Sequence, residues 1–287
     1  MLPVNVSRDT GFQPVPNRAL RWEISHAGFL FPPRRLHGLK TRVTGMLLSL
    51  LALGALPVGC NRNTAESQPS PETQPSYRTG TATISGTVTL SGRAPIMGTI
   101  PNQPCHDGAK PLKEETVMAD DAGHLQNVIV YLEDAPPAPP AKNLLPVVLN
   151  QINCQYVPHV AALRTGQTLH VTTSDPTLHN IHGTCTVNEP FNFALVAPGQ
   201  SRDLSFSQPE LFPVRCDVHP WMKAYIQVFS HPFFAVTDKN GHFEIDHVPF
   251  GAYTLAAWQE KYGVLRQPVR IDDGKTANAS FTYQSGL

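Results

Sequence analysis

The chain has 287 residues and carries 22 Lys+Arg against 22 Asp+Glu, a formal net charge of zero. That balance excludes the basic surplus with which a nucleic-acid binder neutralises phosphates, so no nucleic-acid partner is expected. Charged residues make up only 15%, hydrophobic residues reach 41%, and the 28 prolines are about twice the usual share, a profile that suits a β-rich protein with a real core better than a helical one.

In chain order, the first signal is residues 43–59, VTGMLLSLLALGALPVG, behind basic Arg34, Arg35, Lys40 and Arg42. A basic flank, a short apolar run and a small residue before Cys60 form an export-signal pattern, too short and too interrupted for a comfortable membrane span. Ending on Gly59-Cys60, it resembles a bacterial lipoprotein signal, which implies that Cys60 is acylated and anchors an exported, cell-envelope protein to a membrane. Pro57 stands where such signals usually carry Leu, and an ordinary secretory signal cut nearby is the alternative. Residues 1–39 precede the signal, and synthesis is expected to start at Met46 or at an upstream non-Met codon, leaving 1–39 outside the native protein. Together, 1–60 read as leader and signal. Residues 61–80, NRNTAESQPSPETQPSYRTG, lack aliphatic side chains and read as a disordered tether.

From residue 81 onward short strands alternate with Gly, Pro, Asn and Asp. The clearest are 82–90, 127–133, 169–173, 203–207, 224–230 and 252–258; all are rich in β-branched and aromatic residues, and no stretch shows a helical period. An all-β sandwich class follows. The run Pro136-Pro137-Ala138-Pro139-Pro140 reads as a stiff spacer and a boundary.

ISGTVTLSGRAP (84–95) and AVTDKNGHFEIDHVPFGAYTLAAW (235–258) resemble the two halves of a carboxypeptidase regulatory-like, transthyretin-like sandwich. In the second half Asn240-Gly241 is expected to make a hairpin turn, and Pro249-Phe250-Gly251 to turn into the next strand. The halves are normally near neighbours in sequence. Their separation predicts one small sandwich, 81–140 plus 231–287, interrupted by an inserted domain at 143–230; two modules in series are the alternative.

The chemistry lies in that insert. His179-Asn180 is expected in a loop, and downstream VRCDVHPWMKAYIQVF (214–229) places Cys216, His219 and Met222 at every third residue between two strands. A thiolate, two imidazoles and a thioether are the donor set of a mononuclear blue-copper site, in which the soft thiolate suits Cu(I) and the imidazoles suit Cu(II). Cys-x2-His-x2-Met after an earlier His-Asn resembles the cupredoxins, closest to the amicyanin type. That resemblance implies a Greek-key sandwich, one type 1 copper, and His179, Cys216, His219 and Met222 as its ligands. It also implies that Asn180 braces the site, that Pro220 frames it and that Trp221 covers it. Arg215 departs from the pattern, because an aromatic or polar residue is commoner before the cysteine. Cys-x2-His alone also fits half a zinc site, but no partner pair has the spacing. A binuclear centre would need a cysteine where Phe212 stands. His182 reads as a wall histidine, and His159, His231 and His247 as solvated or satisfied strand-end histidines.

Five cysteines remain to be accounted for: Cys60, Cys105, Cys154, Cys185 and Cys216. With Cys60 acylated and Cys216 on copper, a Cys105–Cys154 bridge would staple the two sandwiches, leaving Cys185 free; Cys185 replacing either partner stays open. The functional expectation is an exported electron carrier, not an enzyme, docking transiently on a redox protein such as a cytochrome or dehydrogenase. A carbohydrate-binding or adhesion module, and a copper storage or delivery protein, are the alternatives.

Overall fold

The computed structural model describes residues 79–287 apart from 103, 104, 106–110, 142, 273 and 287. The leader, Cys60 and nearly all of the tether lie outside the described residues. Among the described residues every regular element is a strand, so the all-β class holds, and no helix is long and apolar enough to cross a membrane.

The strands, in order, are β1 (Ala82–Ser91), β2 (Ile129–Leu132), β3 (Val147–Ile152), β4 (Gln155–Val157), β5 (Val160–Arg164), β6 (Thr168–Thr173), β7 (His179–Gly183), β8 (Phe191–Leu195) and β9 (Ser201–Ser205). They continue as β10 (Glu210–Arg215), β11 (Lys223–Phe229), β12 (Phe234–Val236), β13 (His242–Val248), β14 (Gly251–Gln259), β15 (Gly263–Ile271), β16 (Thr276–Asn278) and β17 (Phe281–Gln284). Strands β3 to β11 pair only with one another, in the sheets β5-β11-β10-β7-β8 and β4-β3-β6-β9. Strands from both ends of the described chain pair across that block, as β13-β1-β16 with β17 also on β1, and as β12-β2-β14-β15.

Period-two alternation explains each sandwich. In β6, Leu169, Val171 and Thr173 point inward, and in β10 Phe212 and Val214 do so, against Leu149, Tyr156, Leu163 and Ile181. The other core gathers Ile84, Val88, Leu132, Phe243, Ile245, Leu255 and Phe281. Strand β11 is covered on both faces. Ala224, Ile226 and Val228 fill the first core, while Tyr225 and Phe229 pack with Ile129, Val160, Phe234 and Trp258 between the sandwiches. A polar cluster lies beside that seam: the His159 ring faces a Glu260 oxygen at 2.7 Å, and Lys223 Nζ donates to Glu260 at 2.9 Å and to Thr116 Oγ1 at 2.8 Å. Burial pushes the Glu260 carboxyl up, but the His159 and Lys223 bonds hold it below its ordinary value.

Two local expectations change. His179 and Asn180 open strand β7 rather than lying in a loop, because β7 pairs with β8 from His179↔Leu195 to Gly183↔Phe191. The Asn240-Gly241 turn forms, with Gly241 at φ 68°, but its flanking strands belong to different sheets: β12 pairs with β2, and β13 with β1. It is a corner between sheets, not a sheet hairpin. The 136–140 spacer is held in place, since the Ala138 N–H donates to Ser230 O at 2.7 Å and the guanidinium of Arg164 donates to Pro139 O.

His231 sits on the return crossing from β11 to β12, buried and stacked on Phe233, with its Nδ1 accepting the Phe233 N–H at 3.2 Å. Burial, helped by the Arg164 charge, lowers its pKa from 6.5 to about 4. The folded state therefore refuses a proton that the unfolded chain accepts near 6.5, so stability falls as pH drops from 6.5 toward 4, by up to about 3 kcal/mol. His231→Asn keeps an acceptor for Phe233 and is expected to flatten that stretch of a denaturation-midpoint profile against pH; an unchanged slope would refute the assignment.

Candidate metal centre

Three chain segments meet at one end of the β3–β11 sandwich: the start of β7, the turn between β3 and β4, and the loop Cys216–Met222 between β10 and β11. The loop is short because the β10–β11 ladder runs up to Arg215↔Lys223, and it closes on itself through Met222 N–H to His219 O at 2.9 Å and Cys216 N–H to Met222 O at 3.2 Å. One sulfur and two ring nitrogens, from Cys216, His179 and His219, all lie within 4.8 Å of one another. The two histidines present their Nδ1 atoms to each other at 3.0 Å, and Cys216 Sγ lies 3.7 Å from His219 Nδ1. Met222, only 1% exposed, is buried in the same core as Cys216. The residues thus fit a trigonal nitrogen–nitrogen–sulfur donor set for a soft or borderline cation.

Exposure separates the two histidines. His179 is fully buried, while His219 is half-buried and stands between exposed Val218 and Pro220 in the chain. Trp221 packs its ring against His219 at 5.2 Å between centroids and donates its Nε1–H to Cys154 O at 3.0 Å.

Asn180 fastens the loop to β7. Its Oδ1 accepts the Asp217 N–H at 2.6 Å, and its Nδ2 donates to Asp217 Oδ2 at 2.7 Å and to Asn192 Oδ1 at 2.9 Å. Asp217 follows Cys216, so these bonds hold the backbone beside the thiol. His182 turns to Asp217 at 3.1 Å, on the outside. His159 belongs to the Glu260 cluster, His231 to the crossing between sandwiches, and His247 is exposed at the end of β13.

Electrostatics favour the ligating form of the thiol. Burial pushes Cys216 up, but hydrogen bonding with His179 and with the backbone at Asn180, His219 and Val218 outweighs it and holds the thiol below its ordinary value. Burial also disfavours the His179 imidazolium, yet bonds to Cys216 and Asp175 raise it overall. A cation that binds these groups displaces their protons.

Asp175 is the residue that sequence reasoning missed. It is buried, its Oδ2 accepts from His179 Nε2 at 2.8 Å and from the Cys154 N–H at 2.8 Å, and its Oδ1 accepts the Asn153 N–H at 2.8 Å. A carboxylate only accepts, so His179 carries its proton on Nε2 and turns Nδ1 inward as a donor atom. The sequence signal was an acid four residues before His179, hidden in a Ser-Asp-Pro stretch that reads as a turn. Cys105 and Cys154 are joined by a disulfide, and Cys185 is a buried free thiol whose pKa burial raises to about 11.

The family described as polysaccharide lyase family 4, domain II matches residues 223–279. No curated protein matches the chain. Among solved structures, the chain is similar to the copper-containing nitrite reductase from Thermus scotoductus SA-01, with 25% identity, 33% of this chain and 25% of that chain covered, and a TM-score of 0.29. The chain thus spans about a quarter of that enzyme's length. It is also similar to amicyanin from Paracoccus versutus, with 16% identity, 35% and 97% coverage and a TM-score of 0.27. A purple cupredoxin from Nitrosopumilus maritimus matches at 20% identity, 30% and 100% coverage and a TM-score of 0.26.

Replacing Asp175 by Asn keeps the size of the side chain but removes its negative charge and one of its two acceptor oxygens, so Asn153, Cys154 and His179 can no longer all be served as they are. Copper affinity, measured by competition with a chromophoric chelator, is expected to fall about 10- to 100-fold. Affinity equal to that of the unaltered protein would show that Asp175 does not orient His179.

Proposed function

We propose that the protein is an exported electron carrier holding one copper ion through His179, Cys216, His219 and Met222. The observation that carries this reading is the convergence of the Cys216 sulfur and two imidazole nitrogens within 4.8 Å at a buried position. A copper ion so bound supplies one electron and takes it back, cycling between Cu(I) and Cu(II). The protein's part is to keep the donors still. Asn180 pins the backbone after Cys216, Asp175 pins the His179 ring, and the loop closes on its own backbone bonds. Donors that cannot rearrange between two oxidation states suit fast electron transfer.

Half-buried His219 is the exit, and exposed Val218 and Pro220 frame a small apolar rim for transient contact with a redox protein such as a cytochrome or dehydrogenase. As a carrier the protein is not an enzyme: four side chains occupy the donor set of a single ion. The signal-like leader and Cys60 support export and a lipid anchor, and the Cys105–Cys154 disulfide supports an oxidising compartment. We read the sandwich of β1, β2 and β12 to β17 as the transthyretin-like module, supported by its assembly from both ends of the described chain.

Addition of Cu(II) to the purified protein is expected to produce an intense visible thiolate-to-copper band, with reversible one-electron voltammetry. Cys216→Ser is expected to abolish the band while leaving the far-ultraviolet circular dichroism unchanged. A colourless wild-type protein, or a band that survives in the variant, would defeat the reading.

A further inference from the structure

The Cys105–Cys154 disulfide adjoins the donor cluster. Both of its sulfurs lie, with a ring nitrogen of His219, within 4.8 Å of one another, and the Cys154 sulfur is equally close to a nitrogen of His179 and an oxygen of Asp175. His219 Nδ1 also lies 3.7 Å from Cys216 Sγ. The His219 imidazole is therefore close to two separate sulfur groups, one a thiol and one a disulfide.

Cys154 is anchored independently of its bridge. Its N–H donates to Asp175, its carbonyl accepts from Trp221, and its side chain is wholly buried. Cys105 is half-buried, and so within reach of an external thiol. Opening the bridge would leave the Cys154 sulfur fixed at His219, with a second sulfur beside it. A disulfide is a poor metal donor, whereas two thiolates form a pair of soft donors that suits Cu(I).

We propose that reduction of Cys105–Cys154 uncovers a second metal site beside His219, in which the Cys105 and Cys154 thiolates take a Cu(I) ion. A dithiol reductant supplies the two electrons and two protons. Its sulfur attacks one cysteine of the bridge, the sulfur–sulfur bond breaks, and the mixed disulfide is resolved by the reductant's second thiol. Two protein thiols and one oxidised reductant result. Each thiol then releases its proton as Cu(I) binds. The inference places its site beside His219 of the carrier reading but takes its donors from different sulfurs, since the one lone pair of the imidazole serves the first ion. It adds a thiol-gated capacity to store or hand over copper beside the electron-transfer ion.

The test counts Cu(I) bound to the full chain against bicinchoninate, under anaerobic conditions, before and after reduction with a phosphine. The expected result is about one ion per chain with the bridge closed and about two with it open. Cys105→Ser/Cys154→Ser should stay at one under both conditions, and reduced Cys216→Ser should keep one. A count that does not rise on reduction overturns the proposal, as does a rise that persists in the double serine variant. Loss of the aromatic bands of the near-ultraviolet circular dichroism on reduction also overturns it, since the two sulfurs would no longer be held at His219. An oxidised protein that binds no copper sinks the carrier reading alone; the increment on reduction still decides this one.

Discussion

The architecture of the site turns on one carboxylate. Asp175 accepts three N–H groups, from Asn153, Cys154 and His179, and so joins the β3–β4 turn to the start of β7. That turn is a two-residue connection, with Ile152 opposite Gln155, and both central residues are left-handed at φ 53°. Such a turn matches the twist of a hairpin but usually carries Gly at its second position. Cys154 stands there instead, at a cost of about 1–2 kcal/mol. The Asp175 bonds and the disulfide hold it in that conformation. Without the carboxylate, the turn would lose its acceptor and His179 its fixed tautomer together.

The ligand loop depends on a second set of bonds of the same kind. Asn180 follows His179 on β7 and reaches across to Asp217, which follows Cys216 on the loop. Adjacent residues of one strand thus serve two purposes, His179 as a proposed metal donor and Asn180 as the brace of the loop. The distance between the two donors is set by strand pairing rather than by side-chain freedom, because β7 pairs with β10 at Arg215↔His182, just before Cys216. This is a physical reason for a buried pair of polar residues at the head of a strand.

Legibility in the sequence followed the range of the interactions. Strands β1, β6, β11 and β14 were readable because their alternation is local, and the Cys216–Met222 spacing was readable because one tight loop contains it. His179-Asn180 was misread as loop because two polar residues seldom open a buried strand; only the β8 partner and the Asp217 contact explain them. Asp175 was invisible for a stronger reason. Its burial depends on the β3–β4 turn and the start of β7 meeting, and nothing in Ser-Asp-Pro announces that meeting. The cysteine pairing pointed on sequence to Cys105–Cys154, but Cys185 could have replaced either partner. The fold separates them, bringing Cys105 from the 92–128 excursion to the β3–β4 turn and leaving Cys185 buried alone.

The sandwich of β1, β2 and β12 to β17 supplies none of the proposed donors, yet it bears on the candidate site through β11. That strand starts immediately after Met222, and both of its faces are packed: one inside its own sandwich, the other against Ile129, Phe234 and Trp258. Lys223, its first residue, is tied to Glu260 after β14 and to Thr116 on the excursion. A strand packed on one face can tilt or slide. One packed on both faces and ion-paired at its first residue cannot do so without disturbing two cores at once. The excursion that carries Thr116 also carries Cys105 to Cys154, so the partner sandwich grips the site from two directions: at the C-terminal end of the ligand loop and at the turn that positions His179. Rigidity at the donors is therefore a property of the paired sandwiches together, which gives a physical reason for the two to be interleaved in a single chain.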